Sequence, residues 1–211
     1  MGNNKKKIFT FIIFSFLFFS SSSQSLTNNV IATINNDIIT ELDIKKEIDF
    51  IKFFNKSEID INSEKLKREI AEILIDRKIK QIEINNAKIE ISEKESEGQI
   101  YIYLENNKIN NEILNNFFKN NQIESDYLKN IINIDIKWNK LIRLIYENKI
   151  NINLTEVNEQ VKKESQNNED IEKIKNQIIA LEKNKILNKF SATHLDKSKK
   201  KYLIKFLWKK L

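Results

Sequence analysis

Residues 30–44 read VIATINNDIITELDI, two short β-branched runs parted by Asn35-Asn36-Asp37 and followed at once by a helix start. Val, Ile and Thr in such runs favour pleated strands. Asn and Asp tolerate positive φ, so the middle of the stretch predicts a tight hairpin. Thr40 then opens a helix running to about Phe54, with Asp43 three residues on in a near capping box. A lone hairpin is barely stable in water and needs another strand. The far end of the chain offers one, YLIKFL at 202–207. Its addition to the hairpin would bring the chain ends together around one helical core. The expected fold is mainly α, a multi-helix core with a small antiparallel sheet made by an N-terminal hairpin and a C-terminal strand.

Between those ends the pattern is helical. The 211 residues include no Pro, so no interior helix position is barred by a missing N–H. Ser63 should open a long helix with Leu66, Ile70, Ile73 and Leu74 on one side and Ile75, Ile79 and Ile82 continuing around it. A stripe that wide predicts burial on more than one side. Ser92-x-x-Glu95 is a capping box and starts a helix to about Glu105. A short helix is expected over 111–119. Ser125 should cap a long one to about Asn148, with Tyr127, Ile131, Ile134, Trp138, Leu141 and Ile145 at helical spacing. A short helix over 155–164 precedes Ser165-Gln166-Asn167-Asn168, the one convincing linker. Residues 169–199 are helical again, and Ile171, Ile174, Ile178, Leu181 and Leu187 should pack across the N-terminal helices.

The first residues explain much of the charge. Lys5, Lys6 and Lys7 precede an apolar run over 8–19, then four serines, Gln24 and Ser25. A positive start, an apolar run of that length and a small-residue exit predict a signal peptide over 1–25, with Leu26 the mature start. The rival reading is an uncleaved anchor, although the run is short for a bilayer span. Removing the three lysines takes the net charge from +6 to +3. Seven further lysines and no acid fall within 197–211, which leaves 26–196 at −4. A basic tail invites nucleic acid or anionic lipid. Export argues against nucleic acid. The lysines also alternate with Leu, Ile, Phe and Trp, as on one solvated face of a strand.

No Cys, one His and two Gly exclude most site chemistry. No disulfide, thiolate metal site or cysteine nucleophile can be built, and His-clustered metal ligation is ruled out. Gly2 and Gly98 cannot write a P-loop or a dinucleotide fingerprint. His194, near Ser191, Thr193 and Asp196, is the only seed for a nucleophilic triad, but its helical context offers no nucleophile elbow or oxyanion hole. An ordinary surface or partly buried histidine is the preferred reading. Glu93, Glu95 and Glu97, and Glu169 with Asp170, sit at helix starts where the macrodipole favours acids. Asn55-Lys56-Ser57 and Asn153-Leu154-Thr155 fit the glycosylation pattern, which recurs by chance in an Asn-rich chain. No catalytic residue, cofactor or metal is expected.

The adjacent pairs Phe53-Phe54 and Phe117-Phe118 carry more information. Helix neighbours point about 100° apart, so one member of each pair should reach the core margin as apolar surface. Exposed apolar surface on an exported protein implies a partner. The other reading is that wide-striped helices bury both members.

Several stretches together resemble the SurA family of periplasmic chaperones. VIATINNDIITELDI, directly after a signal peptide, resembles the start of that family. ILIDRKIK at 73–80 is similar to its long second helix, and IKWNKLIR at 136–143 to a later long helix. LTEVNEQV at 154–161 resembles the helix that closes the family's N-terminal domain, and YLIKFL its C-terminal strand. The family usually carries one or two parvulin-type prolyl isomerase domains between that closing helix and the C-terminal helix. Here only about 165–168 fills the gap, too short for such a domain. The resemblance implies a SurA N-terminal-like helical domain over 26–164, a short linker at 165–168 and a C-terminal helix and strand over 169–211 completing the same core. It implies an ATP-independent periplasmic chaperone that binds unfolded outer-membrane proteins or other extended polypeptides, without isomerase activity. Phe53, Phe54, Phe117 and Phe118 are then the candidate substrate-binding residues. The alternative is a membrane-anchored structural or interaction protein of the cell envelope, with weak lipid contact through its Lys-rich C-terminus.

Overall fold

The structure, a computed structural model, describes residues 29–55, 63–164 and 171–207. The expected signal peptide, the linker at 165–168, Lys56, Ser57, Glu169, Asp170 and the tail from Trp208 lie outside the described residues. In chain order the elements are β1 (Val30–Ile34), β2 (Asp37–Thr40), α1 (Glu41–Asn55), α2 (Glu64–Asn86), α3 (Glu93–Asn106), α4 (Asn111–Asn121) and α5 (Tyr127–Tyr146). A 3-10 turn over Glu147–Lys149 leads to α6 (Leu154–Glu164), α7 (Ile171–Lys199) and β3 (Ile204–Phe206).

The sheet is antiparallel in the order β2-β1-β3, so the last strand lies beside the first, as the edge-pairing argument requires. Asn35 turns the hairpin at φ 52°, a left-handed conformation that Asn accepts more readily than most residues. On β1, Thr33 stands opposite Ile38 on one side and Lys205 on the other. A register shift between Val30 and Ala32 breaks the alternation, and the neighbours Ile31 and Ala32 are both buried. Thr40 closes β2 and caps α1. Its N–H and Oγ1 donate to Asp43 Oδ2 at 2.8 and 2.7 Å, and the Asp43 N–H donates back to Thr40 Oγ1 at 3.2 Å. Asp thus completes the capping box in place of Glu.

Side-chain caps open the next three helices. Ser63 Oγ accepts from the Leu66 N–H at 3.4 Å, Ser92 Oγ from Glu95 at 3.2 Å and Asn110 Oδ1 from Ile113 at 2.8 Å. Their ends share one device. Lys88, Lys108 and Gln122 take positive φ, and the next residue in each case, Ile89, Ile109 or Ile123, donates its N–H five residues back to Ile84, Leu104 or Phe118. These are Schellman closures with an apolar residue folded onto the helix end. A chain with two glycines places Lys and Gln where Gly is usual.

Three expectations need correction. Ser125 does not cap α5. It lies in a turn, and Asp126 precedes the helix with its side chain accepting from Asn130 Nδ2 at 3.0 Å. Ile73 is exposed, because Ile70, Ala71, Ile75 and Ile79 already fill the face of α2 that meets the sheet. Ile171 and Leu181 are exposed too. The first half of α7 faces α6 and its second half faces α2 and α5, so no single stripe serves 29 residues.

Ile34, Ile39, Ile44, Ile48, Ile75 and Ile79 join the sheet to α1 and α2. Trp138, Leu141 and Ile142 join α5 to Ile84 at the end of α2 and to Leu187 of α7. A smaller cluster of Val157, Val161 and Ile178 holds α6 on α7. Each fully buried side chain of this size contributes about 1.5–3 kcal/mol.

Candidate functional site

The fourth cluster lies where α1 meets α3, α4 and α5, and it is aromatic. Phe50 and Phe54 are i,i+4 neighbours on α1, their ring centroids 4.7 Å apart. Phe54 reaches Tyr103 of α3 at 5.1 Å, and Phe50 meets the edge of Tyr127 of α5 at 5.3 Å. Phe118 of α4 is buried with Leu114 and Leu128 beneath them. The adjacent pairs divide as helical geometry requires. Phe54 and Phe118 are buried, whereas Phe53 and Phe117 are half-buried and stack on each other, centroids 4.1 Å apart and planes 14° from parallel. Such a stack adds about 0.5–1.5 kcal/mol beyond its area burial. It makes a seam between two helices that are far apart in sequence.

Beside the aromatic cluster sits a charge. Glu47 is buried on the apolar face of α1 and accepts a bidentate pair from Arg77 of α2, at 2.6 and 2.7 Å. The Tyr127 hydroxyl also donates to it, at 2.5 Å. Burial works against the Arg77 cation, but the Glu47 carboxylate outweighs it and raises the guanidinium above its ordinary value. Burial and then Glu47 push the Tyr127 hydroxyl well up, and the same two causes raise Tyr103. The network is one bidentate ion pair with two phenols beside it.

A second polar hub lies away from the aromatics. Glu83 of α2 accepts from Lys201 at 2.7 Å and from the Tyr202 hydroxyl at 2.5 Å. Burial works to raise this carboxyl, yet hydrogen bonds from Lys201 and Tyr202 prevail and hold it below its usual value. Tyr202 is raised to about 12 by burial and by Glu83. His194 Nε2 stands 3.8 Å from Glu83, its Nδ1 is 3.0 Å from the Tyr146 hydroxyl, and its ring meets the edge of Trp138. Among the described residues no triad forms around it. Ser191 Oγ accepts from Trp138 Nε1 at 2.8 Å, and Thr193 Oγ1 donates to the Lys189 carbonyl.

Other polar features have structural duties. Glu93, in the first turn of α3, is ion-paired with Lys129. Asn153 caps α6, accepting from the Thr155 and Glu156 N–H groups at 3.1 and 3.4 Å. Part of the basic tail is neutralised at home, with Lys199 on Asp76 at 2.5 Å and Lys201 on Glu83. Among the described residues no cluster of three or more His, Asp and Glu could hold a metal ion, and no helix is long and apolar enough to cross a membrane.

Phe50, Tyr103, Glu47 and Arg77 were not singled out from sequence, and Tyr127 was read only as part of a helical apolar stripe. Phe50 had a signal, since it lies four residues before Phe54. Glu47 had one too, as a lone acid between Ile44 and Ile51 on the apolar side of α1.

The fold is a helical scaffold with an aromatic cluster where α1 meets α3, α4 and α5. Residues 3–142 match the family described as the SurA-like N-terminal domain, and the protein belongs to that family. Its role is accordingly chaperone-related, in a family that is not an enzyme class and whose partners are polypeptide clients in general. A comparison with curated proteins gave no match.

Proposed function

We propose that this protein is an ATP-independent periplasmic chaperone that holds unfolded outer-membrane protein precursors and has no prolyl isomerase activity. Export by a signal peptide over 1–25 belongs to the same reading. Residues 26–164 and 169–211 then act as one folding unit joined through 165–168. The observation that carries the proposal is the Phe53–Phe117 stack, a pair of half-buried rings from two helices at the margin of an aromatic cluster. Outer-membrane strands carry apolar residues in alternation, and flat rings offer such chains a non-directional surface. Phe54 and Phe118 support that surface from beneath. Each contact is weak, which suits reversible holding and release when the client strand pairs into its barrel.

The test is light scattering by a denatured outer-membrane protein diluted into the purified chain, with a proline isomerisation assay on the same preparation. Several-fold molar excess should suppress aggregation without ATP. Phe53→Ser with Phe117→Ser should abolish most of that effect while leaving the far-ultraviolet dichroism of the helices in place. Undiminished suppression by the double variant would remove the seam from the account. Isomerisation that follows the pure protein would contradict the rest.

A further inference from the structure

β3 completes the sheet, pairing with β1 on one side. In the order β2-β1-β3 it is an edge strand, and no strand lies beyond it among the described residues. The Asn35 N–H donates to the Leu203 carbonyl at 2.9 Å, and the Leu207 N–H donates to the Ile31 carbonyl at 2.8 Å. Lys205 stands between them in register with Thr33. Residues of an antiparallel strand alternate between facing their partner and facing away. The N–H and C=O groups of Ile204 and Phe206 therefore point to the open side. Around them Leu203, Phe206 and Leu207 are 60%, 46% and 49% exposed. Lys205 within the strand is exposed, as is Lys200 four residues before it, and neither forms a salt bridge with an acid among the described residues.

We propose that the open edge of β3 takes an extended polypeptide as a fourth strand, preferring a segment with alternating apolar residues and an acidic flank. The inference rests on the chaperone reading and adds a second contact, made by backbone rather than by rings. Only an extended backbone presents donors and acceptors at the spacing of Ile204 and Phe206, which is the physics of strand addition. The apolar side chains select the alternation, and the two lysines select the acidic flank. A second copy is a poor occupant, because edge-to-edge pairing would bring two Lys205 ammonium groups together, and lysine on an edge disfavours self-association. A lipid surface is poorer still, since open backbone groups are costly against hydrocarbon.

The experiment uses the full chain and a short fluorescent peptide in which Val and Phe alternate with Ser and which ends in Asp-Asp. A second peptide of the same sequence is N-methylated along its backbone, keeping every side chain but losing its donors. Anisotropy should show the methylated peptide binding at least about tenfold more weakly, the scale of one or two hydrogen bonds plus a clash. Bound unmethylated peptide should protect the Ile204 and Phe206 amides from exchange. Phe206→Pro, which removes a donor outside the β1 ladder, should weaken binding by a similar factor. If that variant does not fold, the exchange of the two amides in the native chain decides. Equal binding of both peptides, or binding without protection at Ile204 and Phe206, overturns the inference and leaves the aromatic seam as the sole contact. Failure to bind the peptide alongside intact suppression of aggregation overturns it while the chaperone reading stands; failure of both removes both. Salt-sensitive binding to phosphatidylglycerol vesicles with no peptide binding overturns it in favour of a lipid surface.

Discussion

Glu47 and Glu83 are each met by a tyrosine hydroxyl and a cation, yet one pair is sealed and the other is wet. The Glu47 side chain is 3% exposed and its Arg77 partner 21%, whereas Lys201 on Glu83 is 55% exposed. The sealed hub joins α1, α2 and α5, all within or reaching into the stretch matched to the family. The wet hub ties α2 to the segment just before β3, beyond that stretch. A guanidinium gives two aligned bonds and does not titrate in the working range, so the first hub is a fixed fastening. The second pairs a solvated ammonium with a carboxylate and sets a titratable imidazole beside them. The N-terminal core is thus fastened by geometry, and the C-terminal segment by packing with an adjustable polar clasp.

The largest expected effect is removal of the wet side altogether. Deleting 166–211 strips Leu187 from Trp138 and Ile142, and β3 from β1. Each large buried side chain so exposed costs about 1.5–3 kcal/mol, and typical domains have only about 5–15 kcal/mol in total. The truncated chain should be insoluble or melt far lower; a soluble form with unchanged thermal unfolding would show the segment to be an appendage. Next in size is Arg77→Met, which leaves Glu47 buried without its cation and should cost about 3–5 kcal/mol in chemical denaturation. Lys201→Met should cost under about 1 kcal/mol, because the lysine itself is already half in water. Equal losses in the two variants would erase the distinction between the hubs.

Of this arrangement, the frame was legible and the fastenings were not. VIATINNDIITELDI carries β-branched runs about a set of turn residues and YLIKFL a short apolar run, so the three-stranded sheet could be assembled from these two stretches alone. Adjacent positions on a helix cannot share one face, so a margin member in each phenylalanine pair was one of two readings open from sequence, without saying that it would be Phe53 and Phe117. Their stacking was not legible, since it depends on how α4 is aimed at α1, and that is set by the left-handed turns at Lys108 and Gln122. Nothing in a Lys or Gln announces positive φ. Ser125 misled because a serine before an apolar run has the look of a cap, while the turn at 124–127 moves the cap position one residue on, to Asp126.

A smaller effect sharpens the comparison through pH. Burial lowers His194, Lys201 and Lys197 lower it further, and Glu83 opposes them, leaving it below its ordinary value. The hydroxyls of Tyr146 and Tyr202 face the same space. A histidine held neutral when folded binds its proton more readily unfolded, so stability falls as pH drops from about 6.5 toward the lowered folded value. Glu83 acts in the same direction lower down, its stabilisation being lost as pH falls through its depressed value. Melting temperature should therefore decline in two steps on acidification, and His194→Phe should remove the upper one. An identical acid profile in that variant would mean the clasp does not titrate as argued.

The central claim is that the C-terminal helix and strand belong to the same folding unit as the hairpin and α1. Native-state hydrogen exchange across a denaturant series measures this directly at the amides of β1, α1 and the second half of α7. The account predicts that Ile34, Ile48 and Leu187 merge into one opening free energy with one denaturant slope at neutral pH. An α7 and β3 that open at markedly lower free energy, while β1 and α1 keep full protection, would contradict it.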